Sequence, residues 1–471
     1  MNTNKTTYIK ADLWKIKQKI NANNVSIYRP KTLISPNFGL IDHPAGIFFD
    51  SKHYHVIFQH NPFETNRNIK FYSMAKTHNF FTYQYQWMTN SPNSDYDEAS
   101  CLGGSCFYYQ NKQLIMYSGD VNTGGDILNN CVRTLVLAKL DKNAKVSQKR
   151  LLMSSINFHK IIASQFKDPF VFVHEYKVYF LVGIGTNNNR AQIWLFSFDL
   201  ENNKINFLKR FEITSASWRA VECPNIIIQN DQVALVFGMV PVRTSNDTKA
   251  TSRTFYTTFS LSEFFDLETK IQPISKLRQL DYGFDFYGPQ IFKDKDRYLM
   301  IGQANLPEQT NFVEATDGWA GCLTPMKRVL FQNQRIYLKL LPDYIDLVRQ
   351  NENEKLFFKT IEIQPGKSFY ANLYDGAVLK LSIIYDAKSN TLDLERFNHP
   401  NDEQDNRRRM ILGQPLTKLD FLFDVSFFDL SINNGRYVMT GRLYVNDVIQ
   451  WVYLNKINKI DNFTTKIFED L

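Results

Sequence analysis

The chain has 471 residues, of which 44 % are apolar and 22 % charged, a balance that supports a packed core and excludes a disordered chain. Its length suffices for one large or two ordinary domains without disulfide staples. The net charge of +8 is spread along the chain, and the one basic run, Arg407-Arg408-Arg409, stands in what reads as a polar loop, so nucleic acid is not an expected partner.

The start, MNTNKTTYIKADLWKIKQKI, has no uninterrupted apolar segment and is not a secretory signal. No later run approaches the ~18 uncharged apolar residues of a membrane span. A cytoplasmic address with no membrane partner is therefore expected. Ile9, Leu13, Ile16 and Ile20 fall at helical spacing and predict one helix over 8–22.

After Pro30 the pattern changes to short β-branched and aromatic runs broken by polar turns. One unit recurs: GIFFDSKHYHVIFQ from Gly46, SCFYYQNKQLIMYSG from Ser105, PFVFVHEYKVYFLVG from Pro169, PNIIIQNDQVALVFG from Pro224 and PQIFKDKDRYLMIGQ from Pro289. Each reads as a β-hairpin. Copies spaced by about 55 to 65 residues predict a β-propeller of five blades. Pro44, Pro169, Pro224 and Pro289 open or precede four of these copies. Proline is tolerated at the first residue of a strand, so they are read as marking where each innermost strand begins. The residues just before them then face one central cavity: His43, Asp168, Glu222 with Cys223, and Tyr287 with Gly288.

The five cysteines are odd in number and without zinc-site spacing. Reduced, mostly buried thiols are expected, with no metal and no cofactor. Residues 341–355 read as a helix or linker. The strand-rich stretch 356–471, with a hairpin signal at Asn434-Gly435, predicts a β-sandwich. The expected organisation is an all-β chain: a helical segment at 1–30, a five-bladed β-propeller at 31–340, a linker at 341–355 and a β-sandwich at 356–471.

The residues around the prolines resemble those of glycoside hydrolase family 32, the invertase, sucrose-6-phosphate hydrolase and fructanase group. Glu222-Cys223-Pro224 matches its E-C-P motif, and Lys167-Asp168-Pro169 its R-D-P motif with Lys for Arg. GFDFYGPQ (283–290), DGWAGCLT (317–324) and Gln59 with Asn61-Pro62 match further blocks. Asp424, Ser426, Asp429 and NNGRYVMTGR resemble the family's sandwich block. The resemblance implies a propeller followed by a sandwich. It also implies a retaining cleavage of a terminal β-fructofuranoside, sucrose or sucrose 6-phosphate: a carboxylate attacks the anomeric carbon, a glutamate serves as acid and then base, and a third carboxylate holds fructose hydroxyls. By position Glu222 is the acid/base and Asp168 the hydroxyl holder. His43, Gln59, Ser105, Lys167 and Trp319 fall at substrate-binding positions. The implied partner is a small sugar, and the chain is expected as a monomer or homodimer.

The first motif departs from the family. P-x-x-G-x-x-N-D-P-N-G becomes Pro36-Asn37-Phe38-Gly39-Leu40-Ile41-Asp42-His43-Pro44-Ala45-Gly46. His43 takes the nucleophile's place and Asp42 that of the preceding Asn. Successive side chains of a strand point to opposite sides, so Asp42 reaches a sugar as nucleophile only where a bulge re-aims it. The alternative is a catalytically impaired sugar-binding or regulatory protein on the same fold. Arg67 and Lys70, on the loop after Asn61-Pro62, are candidate partners of a sugar phosphate.

Overall fold

The computed structural model describes residues 26–122, 131–243, 250–310, 312–399, 406–446, 449–455 and 459–460. The helix expected at 8–22 lies outside them. Five antiparallel four-stranded blades follow one another. Their innermost strands are Gly39–Phe49, Ser100–Tyr109, Ile161–His174, Trp218–Gln229 and Tyr287–Asp294. Each packs against the innermost strand of the next blade, and the fifth returns to the first. The ring closes where Trp319–Ala320, carried on a loop of the fifth blade, pairs in parallel with Gly39 and Leu40. This is a five-bladed β-propeller, and a β-sandwich follows it.

Apolar side chains of alternating strand positions fill the wedges between blades. Leu114, Met116, Leu135, Phe166, Phe180 and Phe196 pack blade two on blade three. Ile227, Val236, Ile291, Met300 and Leu338 do so for blades four and five.

The prolines do not begin the innermost strands. These strands run through them, and in every blade the pairing with the next strand slips by a residue close to this point: between Ile41 and Pro44, Cys101 and Gly104, Gly183 and Leu181, Glu222 and Asn225, and Tyr287 and Gln290. Proline lacks a donor, and a bulge is a place within a sheet where none is needed. Asp168, Cys223 and Gly288, each just before a proline, adopt φ of 59°, 48° and 55°. Blade one carries a second slip, between Pro44 and Gly46.

Helix Pro342–Gln350 leads from the propeller to the sandwich. One sheet holds Leu356–Glu362, Lys418–Asp424, Phe427–Ile432 and Tyr437–Arg442. The other is built on Phe369–Asp375, Val378–Asp386, Thr391–Arg396 and Arg407–Ile411, with Ile449–Asn455 at its far side. The basic run is therefore a strand and not a loop. Arg407 and Arg409 bond Asp393 across the sheet, while the Arg408 guanidinium lies 4.5 Å from the centre of the Phe284 ring. Their alternation pairs charge on one face and packs a cation on the other.

The sandwich is fastened to the propeller by buried polar groups. Asp424 accepts from the Lys31 and Thr32 amides at 2.7 and 2.8 Å. Ser426 donates to the Tyr28 carbonyl at 2.6 Å, and Asp429 pairs with Lys327. Asp285 takes the Arg396 guanidinium and the Arg442 amide. The sandwich block that resembles the family is thus the inter-domain seam.

Candidate active site

The residues preceding the prolines meet at the hub. Asp168 Oδ2 accepts from the Cys223 amide at 3.1 Å and lies 3.4 Å from its thiol. A ligand atom of His43 joins this pair, all three within 4.8 Å of one another. Blades two and five supply glycine here, and the crowding shows why. A Cβ on Gly288 would stand 2.5 Å from His43 Cβ, and one on Gly103 would collide with Asp168 Oδ1 and approach His43 Nε2 to 3.1 Å. Two blank positions make room for three functional side chains.

The residues one step earlier form a second cluster. Glu222 is 8 % exposed. Its Oε1 lies 2.6 Å from Lys167 Nζ, and its Oε2 accepts from the Tyr287 hydroxyl at 2.9 Å. Burial works to raise the Glu222 pKa, but the Lys167 charge and bond, the Tyr287 bond and the nearby His43 outweigh it, and the carboxyl is held below its ordinary range. Burial works to lower the Lys167 pKa, and Glu222 and Asp168 more than restore it. Burial and the Glu222 charge push the Tyr287 phenol well up, so it remains a hydrogen-bond donor. The resting pair is a lysine cation bound to a glutamate anion.

Asp42 is at the same step from Pro44 as Glu222 is from Pro224. The slip opposite Gln59 falls on Asp42 and His43, which supplies the bulge that the sequence could not display. The Asp42 carboxylate is 3 % exposed and lies 2.8 Å from Lys70 Nζ and 3.3 Å from Arg67 Nε. Burial opposes ionisation here. Lys70 and Arg67 overcome it and hold the group ionised, well below the usual carboxylate range. His43 completes the connection: Gln59 Nε2 is 2.5 Å from its Nε2, and its Nδ1 is 3.7 Å from Asp42 Oδ1.

The structure therefore brings together Asp42, His43, Gln59, Lys167, Asp168 and Glu222. Two expected positions lie elsewhere. Ser105 accepts from the Val171 amide at 2.8 Å and donates to the Pro169 carbonyl at 3.0 Å, which clasps blade two to blade three. Trp319 has no exposed surface and lies under the Arg29 guanidinium, 4.4 Å from ring centre to cation. Arg67 and Lys70 are committed to Asp42. Tyr287 as a Glu222 partner and Cys223 as an Asp168 partner stand among the cavity-facing residues of the repeat, but only the fold shows whom they touch.

A family profile described as the glycosyl hydrolases family 32 N-terminal domain matches residues 34–342. The chain belongs to that family. A probable sucrose-6-phosphate hydrolase of Vibrio cholerae is 24 % identical over 436 residues, covering 88 % of this chain and 77 % of the relative. The sucrose-6-phosphate hydrolase of Staphylococcus xylosus is 23 % identical, covering 90 % of this family 32 chain and 89 % of that one. Among solved structures, a sucrose-6-phosphate hydrolase from Lactobacillus gasseri superposes with a TM-score of 0.78 at 21 % identity, over 94 % of both chains. A Bombyx mori β-fructofuranosidase gives 0.78 at 20 % identity, over 96 % of both. These likenesses carry the propeller-and-sandwich fold over 94–96 % of this family 32 chain. Among the described residues, no helix is long and apolar enough to cross a membrane.

Proposed function

We propose that the protein is a glycosidase that removes a terminal β-fructofuranosyl unit from a small fructoside, sucrose or sucrose 6-phosphate, at the propeller hub. The observation that carries this reading is Glu222, buried between Lys167 and Tyr287, in one hub with Asp168 and Asp42. Glycoside cleavage with retention needs an ionised carboxylate to capture an oxocarbenium-like centre, and a second carboxyl that alternates between acid and base. Asp42 is the carboxylate held ionised, by two cations. Glu222 is the acid/base: a leaving-group oxygen arriving at Oε1 takes the place of the Lys167 ammonium, Glu222 freed of that charge takes up a proton from solvent, and it passes the proton to the leaving oxygen as the bond to the anomeric carbon breaks and the bond to Asp42 forms; it then takes a proton from the water that releases fructose from Asp42. Asp168 holds the fructose hydroxyls, and Gln59 and His43 border them. The substrate class accords with the relatives named above, and an imported phosphorylated sugar accords with a cytoplasmic protein acting as monomer or homodimer.

The test is release of fructose from sucrose and from sucrose 6-phosphate by the whole chain and by Asp42→Asn. Turnover in the wild type that is lost in the variant supports the reading. The alternative is a sugar-binding protein without turnover on the same fold. That alternative prevails if no fructoside is cleaved while the double change Asp42→Asn with His43→Asp creates activity.

A further inference from the structure

Several cations of the propeller are matched by a carboxylate, as Arg133 is by Asp120, Lys149 by Asp97 and Arg297 by Asp294. The wedge between blades two and three holds three that are not. Lys112, Lys139 and Arg150 line one cavity of about 490 Å³, with Glu201 as its single carboxylate. Among the described residues, none of the three side chains has a hydrogen-bond or ion-pair partner. Glu201 is already engaged, accepting from the Gln110 amide at 2.6 Å. The cavity is remote from the hub. Gly103 stands beside Asp168, and Tyr109, six residues further along the same strand, borders the cavity. At ~3.3 Å per residue the two places are about 20 Å apart.

The ladder of blade two sends all three cations to one face. Lys112 is two residues from Leu114, which opposes Lys139, and Lys139 is two residues from Leu137, which opposes Arg150. Side chains two apart on a strand share a face. Leu114 and Leu137 pack toward blade three, so the cations point there as well. Arg150 does so only because the outer strand is bulged. Lys139 opposes Ser147 while Leu137 opposes Arg150, which leaves one extra residue between them, and Gln148 there has φ of 51°. An unslipped ladder would set Lys149 opposite Leu137. Instead Lys149 turns to the other face and bonds Asp97 at 2.6 Å. Bulges re-aim side chains, and a non-glycine residue at positive φ is uncommon. Like charges on neighbouring strands repel. The bulge thus gathers a third cation where folding alone gains nothing from it.

We propose that this wedge is a second ligand site, for a small phosphorylated compound that carries a ring, with Lys112, Lys139 and Arg150 holding the phosphate oxygens. A guanidinium fork pairs with phosphate through two parallel bonds, and two ammonium groups add charge beside it. The rest of the cavity is not suited to a bare anion. Leu114 and Leu137, each 6 % exposed, form its floor, and the half-buried Tyr109 and Leu200 border it. Free phosphate would leave that apolar surface wet, whereas a ring attached to the phosphate covers it. The volume lies within the range of small-molecule sites, about 300–1,000 Å³. Glu201 repels the same ligand, which sets an opposing charge at the rim. The site stands apart from fructoside cleavage, and its occupancy is read without a fructoside.

The test is calorimetric titration of the full chain with adenosine diphosphate, with pyrophosphate and with adenosine. The expected order is adenosine diphosphate tightest, pyrophosphate weaker and adenosine without measurable binding, with one equivalent bound and affinity falling as salt rises. Lys139→Ala and Arg150→Ala should each weaken adenosine diphosphate about tenfold. Lys112→Ala, at an exposed position, serves if either fails to fold. Glu201→Gln should tighten binding. Glu222→Gln at the hub and Lys388→Ala, an exposed lysine of the sandwich, should leave it unchanged. No binding of adenosine diphosphate at millimolar concentration overturns the site. So does equal affinity for pyrophosphate, an unchanged affinity in folded Lys139→Ala and Arg150→Ala, or a loss in Glu222→Gln or Lys388→Ala as large as in those two.

Discussion

The propeller hub and the seam with the sandwich both bury charged groups, and they treat them differently. At the seam the anions are saturated. Asp424 accepts from two amides and a hydroxyl of residues 31 and 32, Asp281 from the Gly283 and Thr440 amides and the Thr440 hydroxyl, and Glu314 from the Gly321 amide and the Tyr444 hydroxyl while pairing with the Arg442 charge. Asp424 and Glu314 have no exposed surface. At the hub, Glu222 is held by two side chains alone, Asp168 leans on one residue through one of its oxygens, and Gln59 keeps an orphaned oxygen. Burial of charge is common to both regions. Incomplete satisfaction by groups able to move aside marks the one suited to a substrate.

If that contrast is right, mutations should sort by what they remove. The largest effect belongs to Glu222→Gln, which takes away the acid/base and should lower fructoside turnover about 10²–10⁴-fold. Its melting temperature should stay within a few degrees of the wild type, since no core contact is lost. Lys327→Ala should do the opposite. It strands Asp429 in the seam and should cost about 3–5 kcal/mol in denaturant unfolding, with kcat of the folded fraction little changed. Ser105→Ala leaves the Val171 amide and the Pro169 carbonyl without their clasp, at about 1–3 kcal/mol. An unchanged KM would show that Ser105 is part of the scaffold, whereas a raised KM would return it to the substrate.

Two pH experiments sharpen the comparison further. Lys167 holds Glu222 below its ordinary pKa, and a general acid is lost as pH rises through its pKa. Lys167→Gln should therefore move the basic limb of the kcat/KM profile to higher pH. At the seam, burial pushes Asp281 up to about 6, against opposing help from Lys327 and Thr440. A carboxyl with a folded pKa above its unfolded 3.8 favours folding below that value and loses this contribution as pH rises toward about 6. Asp281→Asn should remove that decline from the pH dependence of stability.

How much was legible beforehand follows from the same physics. The hairpins announce themselves by alternating apolar runs, and their recurrence gives the five blades. Glu222 and Asp168 stand beside prolines whose meaning is local, so their convergence could be read from the repeat. The Ser105 clasp could not, because a hydroxyl bridging two blades and one bordering a ligand look alike in sequence. Trp319 stands in a block that resembles the family, but its packing beneath Arg29 depends on a partner 290 residues away. The prolines mark bulges and not strand starts, because a slipped register leaves no trace in composition. The meeting of His43, Asp168 and Cys223 was legible in the same way, since each stands just before a proline of the repeat, whereas the atoms that touch there are set by the closed ring. Arg407–Arg409 read as a loop, since three adjacent charges hide the alternation that sends Arg408 inward.

The central claim is that one fructose ring sits at the hub among side chains delivered by separate blades. Its most direct test is a crystal structure of Glu222→Gln soaked with sucrose. The account predicts a fructosyl ring whose hydroxyls bond Asp168, with its anomeric carbon facing Asp42 and its glycosidic oxygen beside residue 222. Sugar bound in a groove on the outer strands, or a hub that stays closed to it at saturating sucrose, would contradict the account.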